Sequence, residues 1–88
     1  MHRETAEADE GERLLENIGQ LHTTQMGILR IRKNLGTNAG DVVGFCRSLI
    51  LNEKCRISRR GKNWYCETDN IRLTVNSCSY TIITAHRV

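Results

Sequence analysis

The strongest structural signal in the chain is the run Gly61-Lys62-Asn63-Trp64-Tyr65-Cys66-Glu67-Thr68-Asp69-Asn70-Ile71-Arg72-Leu73-Thr74-Val75-Asn76. Its two halves are rich in aromatic and β-branched residues, which favour strands, and Asp69-Asn70 between them is typical of a two-residue hairpin turn. Gly61-Lys62-Asn63 indicates another turn in front of the first half. We therefore predict antiparallel strands over residues 64–68 and 71–76.

A further strand is predicted on each side of this hairpin. Upstream, Cys55-Arg56-Ile57-Ser58-Arg59 alternates apolar and polar residues, so the helical period of the preceding residues gives way to the two-residue period of a strand. Downstream, the chain ends on the strand-like run Ser79-Tyr80-Thr81-Ile82-Ile83-Thr84-Ala85-His86-Arg87. Four consecutive strands with short connections predict an antiparallel meander.

Amphipathic helices are predicted upstream of the strands. The first begins at Glu12. The second begins after an N-cap at Thr23 or Thr24 and ends at Gly36, because glycine is favoured just past a helix C-terminus. The apolar stripes of these two helices consist of Leu14, Leu15, Ile18 and Leu21, and of Ile28, Ile31 and Leu35.

A third helix is predicted to begin at Thr37 or Asn38, with Asp41 in its first turn. The fold class that follows is α+β, with about three N-terminal helices packed on one face of a four-stranded antiparallel meander sheet. Residues 12–88 are predicted to be a single domain. Residues 1–11 hold no apolar stripe to bury, so we predict a disordered acidic segment there.

The charge of the chain is divided unevenly along its length. The formal net charge is +3, but residues 1–20 carry −4 and residues 21–88 carry +7. One interpretation is ordinary mixed surface charge that keeps the protein in solution. The other is an electropositive face for a polyanion, of which nucleic acid is the usual example.

The sequence has no apparent membrane span or signal peptide, and this predicts both the location of the protein and the redox state of its cysteines. No apolar run approaches the roughly 20 residues that span a bilayer, and acidic residues follow Met1-His2-Arg3 where a signal peptide would be apolar. We therefore predict a cytoplasmic protein with no membrane contact. Its cysteines are expected to be reduced thiols, and no Cys-x-x-Cys pair indicates a metal site. No cofactor is predicted. The cysteines are Cys46, Cys55, Cys66 and Cys78.

Several motifs carry a resemblance to a known family. They are His22-Thr23-Thr24, Arg30-Ile31-x-x-Asn34-Leu35, Gly61-Lys62-Asn63-Trp64-Tyr65, Thr74-Val75-Asn76 and Ser79-Tyr80-Thr81-Ile82-Ile83-Thr84-Ala85-His86. Together they resemble DUF3781, a family of short bacterial proteins catalogued as a domain of unknown function. The resemblance covers roughly residues 12–88 and implies no activity. A weaker, architectural resemblance is to the barnase, EndoU, colicin and RelE-like ribonucleases, which need no metal.

Alternation along the last two strands predicts which face of the sheet each side chain is on. In residues 71–76 the apolar set is expected to face the helices, which leaves Arg72, Thr74 and Asn76 on the open side. The last strand is ambiguous because both of its faces contain an isoleucine. Strict alternation places Tyr80, Ile82, Thr84 and His86 on one face, and Thr81, Ile83, Ala85 and Arg87 on the other.

The candidate chemistry is that of RNA binding and cleavage. His86 is proposed as a general acid or base, and Tyr80 as a stacking or proton-sharing group. A carboxylate base is less evident, since Glu67 and Glu53 are the only candidates and neither lies in a motif. Trp64 and Tyr65 should point to opposite faces, one into the core and the other free to stack on a base. The candidate nucleic-acid-binding residues are Lys62, Arg72, Arg87, Thr84, Arg59 and Arg60.

Two functions remain open at this point. The first is a small RNA-engaging protein with metal-independent, toxin-like endoribonuclease activity. The alternative is a non-catalytic interaction module or regulator that binds protein or nucleic acid. The expected partners are accordingly RNA or a protein, and the sequence leaves the oligomeric state open, a dimer included.

Overall fold

The computed structural model describes residues 11–88, and these residues form three helices and one four-stranded antiparallel sheet. The strand order is β1-β2-β3-β4, which confirms the predicted α+β meander. The predicted disordered segment, residues 1–11, lies outside the described residues except for Gly11, which is helical. The elements are α1 (11–16), a 3-10 turn (Ile18–Gln20), α2 (Gln25–Leu35), α3 (Val42–Leu51), β1 (Arg56–Arg60), β2 (Asn63–Thr68), β3 (Ile71–Asn76) and β4 (Ile82–Arg87).

The central hairpin has the geometry that its turn residues predict. Asp69 and Asn70 both have positive φ, 54° and 64°, as a two-residue type I′ turn requires. This turn sets the register of β2 on β3. Thr68 pairs with Ile71, and this first pair determines every other residue pair between the two strands. The turn between β1 and β2 is at Gly61, whose φ of 61° suits a residue without a side chain.

The core lies between the helices and one face of the sheet. The expected inward set of β3, Ile71, Leu73 and Val75, is buried, and Trp64 of β2 is fully buried beside it. Burying such side chains contributes about 1.5–3 kcal/mol each. The remaining core members come from the helices and β4, and they include Leu14, Ile31, Leu35, Val42, Cys46, Ile50, Ile82 and Ala85.

The first predicted helix is shorter than its apolar stripe indicates. Regular helix ends at residue 16, and the Asn17 side chain donates a hydrogen bond back to the carbonyl of Arg13 (2.8 Å). Leu21 is already extended, which leads His22 alongside the last strand. There the His22 N–H donates to the Tyr80 carbonyl (3.1 Å), and the His22 carbonyl accepts from the Ile82 N–H (2.7 Å). The segment therefore covers part of a sheet edge that would otherwise be open.

The second helix begins and ends as predicted. Thr24 is the N-cap, and its hydroxyl accepts a hydrogen bond from Gly27 N–H (2.9 Å). Gly36 ends the helix in the left-handed conformation, with φ of 64°. Within residues 11–88, none of the helices is both long enough and apolar enough to cross a membrane.

The third helix begins later than predicted. Its N-cap is Asp41, whose carboxylate accepts from Gly44 N–H (2.9 Å), so Thr37 and Asn38 precede the helix instead of starting it. The intervening loop is held by Arg32 of α2, which donates to the carbonyls of Ala39 and Gly40. These hydrogen bonds span seven and eight residues and hold the chain between α2 and α3 as a loop.

We expect Asp41→Ala to lower the free energy of unfolding by about 1 kcal/mol, because a capped N–H group loses its acceptor. Asn38→Ala is the matched control, since no hydrogen bond to the Asn38 side chain occurs among the described residues. Urea unfolding of both variants measures the difference. A greater loss for Asn38→Ala would contradict the observed start of α3.

Candidate nucleic-acid interface

The sheet face turned away from the helices carries polar side chains in three rows, and we call it the open face. The strand registers align residues of the same face across the sheet. The first row spans all four strands, the second does so as well, and the third spans β1 to β3. The rows are Arg56, Glu67, Arg72 and His86; Ser58, Tyr65, Thr74 and Thr84; and Arg60, Asn63 and Asn76.

The first row contains an acid, a cation and an imidazole on consecutive strands. Arg72 Nε donates to Glu67 Oε2 at 2.5 Å, and Arg56 Nη2 lies 3.9 Å from Glu67 Oε1. His86 is the cross-strand partner of Arg72. Because neighbouring strands are about 4.8 Å apart, Glu67 and His86 flank Arg72 at a backbone separation of about 10 Å. A phosphate bound at Arg72 would therefore lie between a carboxylate and an imidazole.

A shallow depression of about 340 Å³ lies on the open face. Tyr65 contributes its ring to this depression, while Trp64 is in the core, so the two aromatics point to opposite faces as predicted. Arg60 and Arg72 line it too, and the Arg60 side chain makes no hydrogen bond or ion pair with any described residue. An aromatic ring between guanidinium groups can stack a base and hold the adjoining phosphates. The remaining lining residues are Ser58 and Glu67.

A β-bulge determines which face of β4 carries the polar residues. Thr84 pairs with Thr74, but Ile82 pairs with Val75, so Ile83 is an extra residue between the two pairs. The predicted strict alternation is therefore wrong. Ile82 and Ala85 are both buried on the helix side, while Thr84 and His86 lie on the open face. The bulged Ile83 is 41% exposed.

Tyr80 lies on the other side of the sheet from the predicted site. It has φ of 61° and precedes β4, which begins at Ile82 and not at residue 79. Its ring centroid is 5.4 Å from that of Trp64, so Tyr80 packs against the core. The expectation that Tyr80 and His86 share a face is wrong because the extra residue Ile83 lies between them, which leaves Tyr80 on the side of Ile82 and His86 on the open face.

Arg87 is also absent from the open face. It pairs with Ile71 across the sheet, which points it toward the helices. Its Nη2 donates to the carbonyl of Leu35, the last residue of α2, at 2.7 Å. A cation at this position satisfies a helix C-terminal carbonyl and complements the helix dipole. Arg87 and Arg72 therefore lie on opposite faces of the sheet, and the prediction that they share a site is wrong.

The remaining predicted residues occupy different places at the β1–β2 end of the sheet. Arg59 pairs with Trp64, so it lies on the helix side, and its Nε donates to the Gly61 carbonyl (2.9 Å). Lys62 is exposed in the turn, at the rim of the open face next to Arg60. The structure thus brings together four predicted residues on the open face, with Lys62 at the rim. These four are Arg60, Arg72, Thr84 and His86.

Glu67 is the residue that sequence reasoning undervalued. It lies in no motif, yet the two-residue turn at Asp69-Asn70 fixes its pairing with Arg72. Counting outward from that turn would have placed the carboxylate beside the guanidinium, because a two-residue hairpin loop sets the register. The position of this candidate carboxylate beside Arg72 was therefore readable from the sequence.

His22 connects the α1–α2 segment to β4. Its Nδ1 donates to the Gln20 carbonyl (2.9 Å), and its Nε2 is 3.1 Å from the hydroxyl oxygen of Thr81. These contacts give His22 a packing role between the two segments. All four cysteines are free. Among residues 11–88, three or more His, Cys, Asp or Glu side chains nowhere cluster closely enough to hold a metal ion.

Comparison with known proteins identifies a family and no activity. Neither the curated proteins nor the solved structures include a match to this chain. The architectural resemblance to metal-independent ribonucleases therefore stays a prediction. The family model described as protein of unknown function DUF3781 matches residues 15–86, from the last residues of α1 to the penultimate residue of β4. Since this match covers far more than half of the chain, the protein belongs to the DUF3781 family.

Proposed function

We propose that the open face binds single-stranded RNA. The observation that carries this proposal is the depression in which the Tyr65 ring lies with Arg60 and Arg72. Single-stranded nucleic acids are bound by such combinations, since every base offers a face for stacking and every phosphate a negative charge. An RNA ligand also fits the cytoplasmic location that the sequence predicts.

The charge of the open face supports a polyanionic ligand. Glu67 is the only acidic residue in the three rows, and its carboxylate is already paired with Arg72 and lies near Arg56. Arg56 has 86% of its side chain exposed, and Arg60 and Lys62 are exposed as well. The face therefore keeps a surplus of cations for phosphates, and releasing counterions from the RNA would favour binding.

The first row also supplies the groups for metal-independent cleavage. In this proposal Glu67 takes the proton from a ribose 2′-hydroxyl, whose oxygen attacks the adjacent phosphorus. Arg72 stabilises the charge on the phosphorane, and His86 gives a proton to the departing 5′-oxygen. One P–O bond forms and one breaks. The products are a 2′,3′-cyclic phosphate and a 5′-hydroxyl.

A specific observation also favours the alternative, a non-catalytic RNA-binding module. Glu67 accepts a hydrogen bond from Arg72, and a carboxylate held in this way serves to orient the guanidinium toward a phosphate. In that case the same residues bind RNA and cleave nothing. Binding and cleavage are therefore tested separately, binding first.

Binding of a fluorescent single-stranded RNA should weaken steeply as the salt concentration rises. Tyr65→Ala should cost about 1–3 kcal/mol of binding free energy through lost stacking. Arg72→Ala should weaken binding and reduce the slope of log K against log salt by about 0.7, the value for one phosphate on a single strand. Fluorescence anisotropy at several salt concentrations measures both quantities.

The charge-matched control is Arg30→Ala, because Arg30 is exposed on α2 on the opposite side of the sheet. It should leave affinity and salt slope unchanged. Equal weakening by Arg30→Ala and Arg72→Ala would indicate binding by net charge alone, without a site. A wild-type protein that fails to bind RNA at low salt would contradict the proposal.

A further inference from the structure

The two outer edges of the sheet are covered to different extents. At the β4 edge, the chain closes on the strand through backbone hydrogen bonds of His22 and through the side chains of Thr23 and Asn34. The opposite edge is β1, which pairs only with β2. Within residues 11–88, no hydrogen bond joins the backbone of Ile57, at the middle of this edge, to a residue outside the sheet.

The turn between β1 and β2 determines which backbone groups of β1 are directed outward. The turn consists of residues 61–62, and the pair that closes it is Arg60 with Asn63. The residues that close a two-residue hairpin loop exchange backbone hydrogen bonds, and such pairs then alternate along the ladder. Every second residue of β1, counted back from Arg60, therefore bonds to β2. Ile57 lies between two of these residues, so its N–H and C=O point away from the sheet, where an added strand would bond.

The β1 edge is also strongly cationic. Residues 54–62 contain five lysine or arginine side chains and no acidic one. Arg56 and Arg60 share the open face of β1, and both are exposed. On an added strand, the residue opposite either arginine would have its Cβ about 4.5–5.5 Å away, and opposite charges at that distance stabilise the pair.

This charge distinguishes between two occupants of the edge. A second copy of β1, added antiparallel about Ser58, would place Arg56 opposite Arg60 of the second copy at both ends of the pairing. Like charges directly opposite each other destabilise a strand pair, and cations on an edge strand are a known protection against self-association. A strand with acidic residues at these two positions is stabilised by the same arginines.

We propose that the β1 edge binds an extended acidic segment of a partner protein, which adds to the sheet antiparallel to β1. Backbone hydrogen bonds to Ile57 hold the segment, and acidic side chains opposite Arg56 and Arg60 make the binding selective. Opposite Ile57 the segment carries an aliphatic residue, because the Ile57 side chain is partly buried against the core. With threonine at the other two positions, which favours a strand, the matching sequence is ETTVE, read from the residue opposite Arg60 to the residue opposite Arg56.

The capped peptide ETTVE and the full chain are sufficient for the test. RNA is left out, so the result does not depend on the proposed RNA site. In amide hydrogen exchange followed by NMR, the Ile57 N–H should exchange rapidly in the free protein. It should exchange about tenfold more slowly when about nine-tenths of the protein carries the peptide, because exchange then occurs from the remaining free protein. Failure of the peptide to bind at low salt would overturn the proposal.

A modified peptide tests the backbone hydrogen bonds. In an antiparallel pair that exchanges both bonds, the valine N–H of ETTVE donates to the Ile57 carbonyl. The same peptide with N-methylvaline at that position keeps its charge but lacks this N–H, so it should lose binding. Equal binding of the two peptides would show attraction by charge alone and would contradict an added strand.

Charge reversal tests the acidic preference. Arg60→Glu should weaken the binding of ETTVE by about threefold to tenfold, and the peptide KTTVE should bind this variant about as tightly as ETTVE binds the wild type. Arg30→Glu is the matched control, since Arg30 is exposed on α2 on the other side of the sheet, and it should leave the affinity for ETTVE unchanged. Equal weakening by the two variants, or no rescue by KTTVE, would contradict pairing at Arg60.

The free protein provides a last test of the same edge. Slow exchange of the Ile57 N–H without peptide would overturn the proposal, because the edge would then already be covered. Protection that rises with protein concentration would identify a second copy as the occupant. Protection that is independent of concentration would identify another part of the same chain.

Discussion

Replacing His86 with alanine is expected to reduce RNA cleavage by about 10²–10⁴-fold and to leave RNA affinity nearly unchanged. The reason is that His86 lies on the open face, where it is proposed to protonate the departing 5′-oxygen. It contributes nothing to the buried core. The measurement is the rate of appearance of a 2′,3′-cyclic phosphate product from a defined oligonucleotide, with binding measured in parallel.

Two further variants make this result specific. Glu67→Gln keeps the shape of the side chain but removes the base, so it should reduce cleavage by a similar factor. Arg30→Ala, on α2 on the opposite side of the sheet, is the control and should cleave at close to the wild-type rate. Binding without cleavage by the wild type would leave the non-catalytic module. Cleavage that survives both His86→Ala and Glu67→Gln would contradict the proposed acid–base pair.

Replacing Trp64 with alanine should lower the free energy of unfolding by about 3–5 kcal/mol. Trp64 is fully buried at the centre of the core, and its ring is 5.4 Å from that of Tyr80. Arg13 covers it from α1, with its guanidinium carbon 5.8 Å from the ring centroid. Removing this side chain leaves a cavity between sheet and helices. Urea unfolding followed by circular dichroism measures the loss.

The adjacent residue provides the control. Tyr65→Ala removes an aromatic ring from the open face, so it should cost less stability than Trp64→Ala and act mainly on RNA binding. Trp64→Phe should retain most of the stability, because Trp64 Nε1 is buried and finds no hydrogen-bond acceptor among the described residues. A loss for Trp64→Ala no larger than that for Tyr65→Ala would mean that Trp64 is not the centre of the core.

The central hairpin could be predicted because its determinants are local. Asp69-Asn70 specifies a two-residue turn, the turn specifies the register, and the alternation then places Leu73 inside and Arg72 outside. The same reasoning reaches Glu67. Such a prediction requires a short loop of known geometry, and Asp69-Asn70 is a loop of that kind.

The last strand could not be predicted in the same way because distant residues determine its path. β4 is an edge strand, and two of its carbonyl groups accept hydrogen bonds from outside the sheet, at Ile82 from the Thr23 hydroxyl (2.9 Å) and at Ala85 from the Asn34 amide (3.2 Å). Thr23 and Asn34 lie more than fifty residues earlier in the chain. The alternation of residues within the last strand therefore could not reveal the path of that strand.

The residues of the candidate site fall into the same two groups, those placed by local turns and those placed by distant contacts. Arg60 and Arg72 belong to strands whose register is set by short turns, and their common face follows from alternation. Tyr80 and Arg87 were misplaced because each has a partner in another layer, the Trp64 ring and the Leu35 carbonyl. A polar side chain near the end of a strand can serve the fold or a ligand, and only the tertiary contact distinguishes the two.

The bulge in β4 makes the candidate site depend on how the strand is paired as much as on residue identity. If β4 kept all its residues but paired in strict alternation, His86 would share the face of Ile82, turned toward the helices. Every side chain named in the proposed chemistry would still be present. A family member could therefore keep these residues and still lose the site, if its last strand paired without the bulge. Deletion of Ile83 would have the opposite effect, because His86 would then follow Ile82 by three positions and remain on the open face.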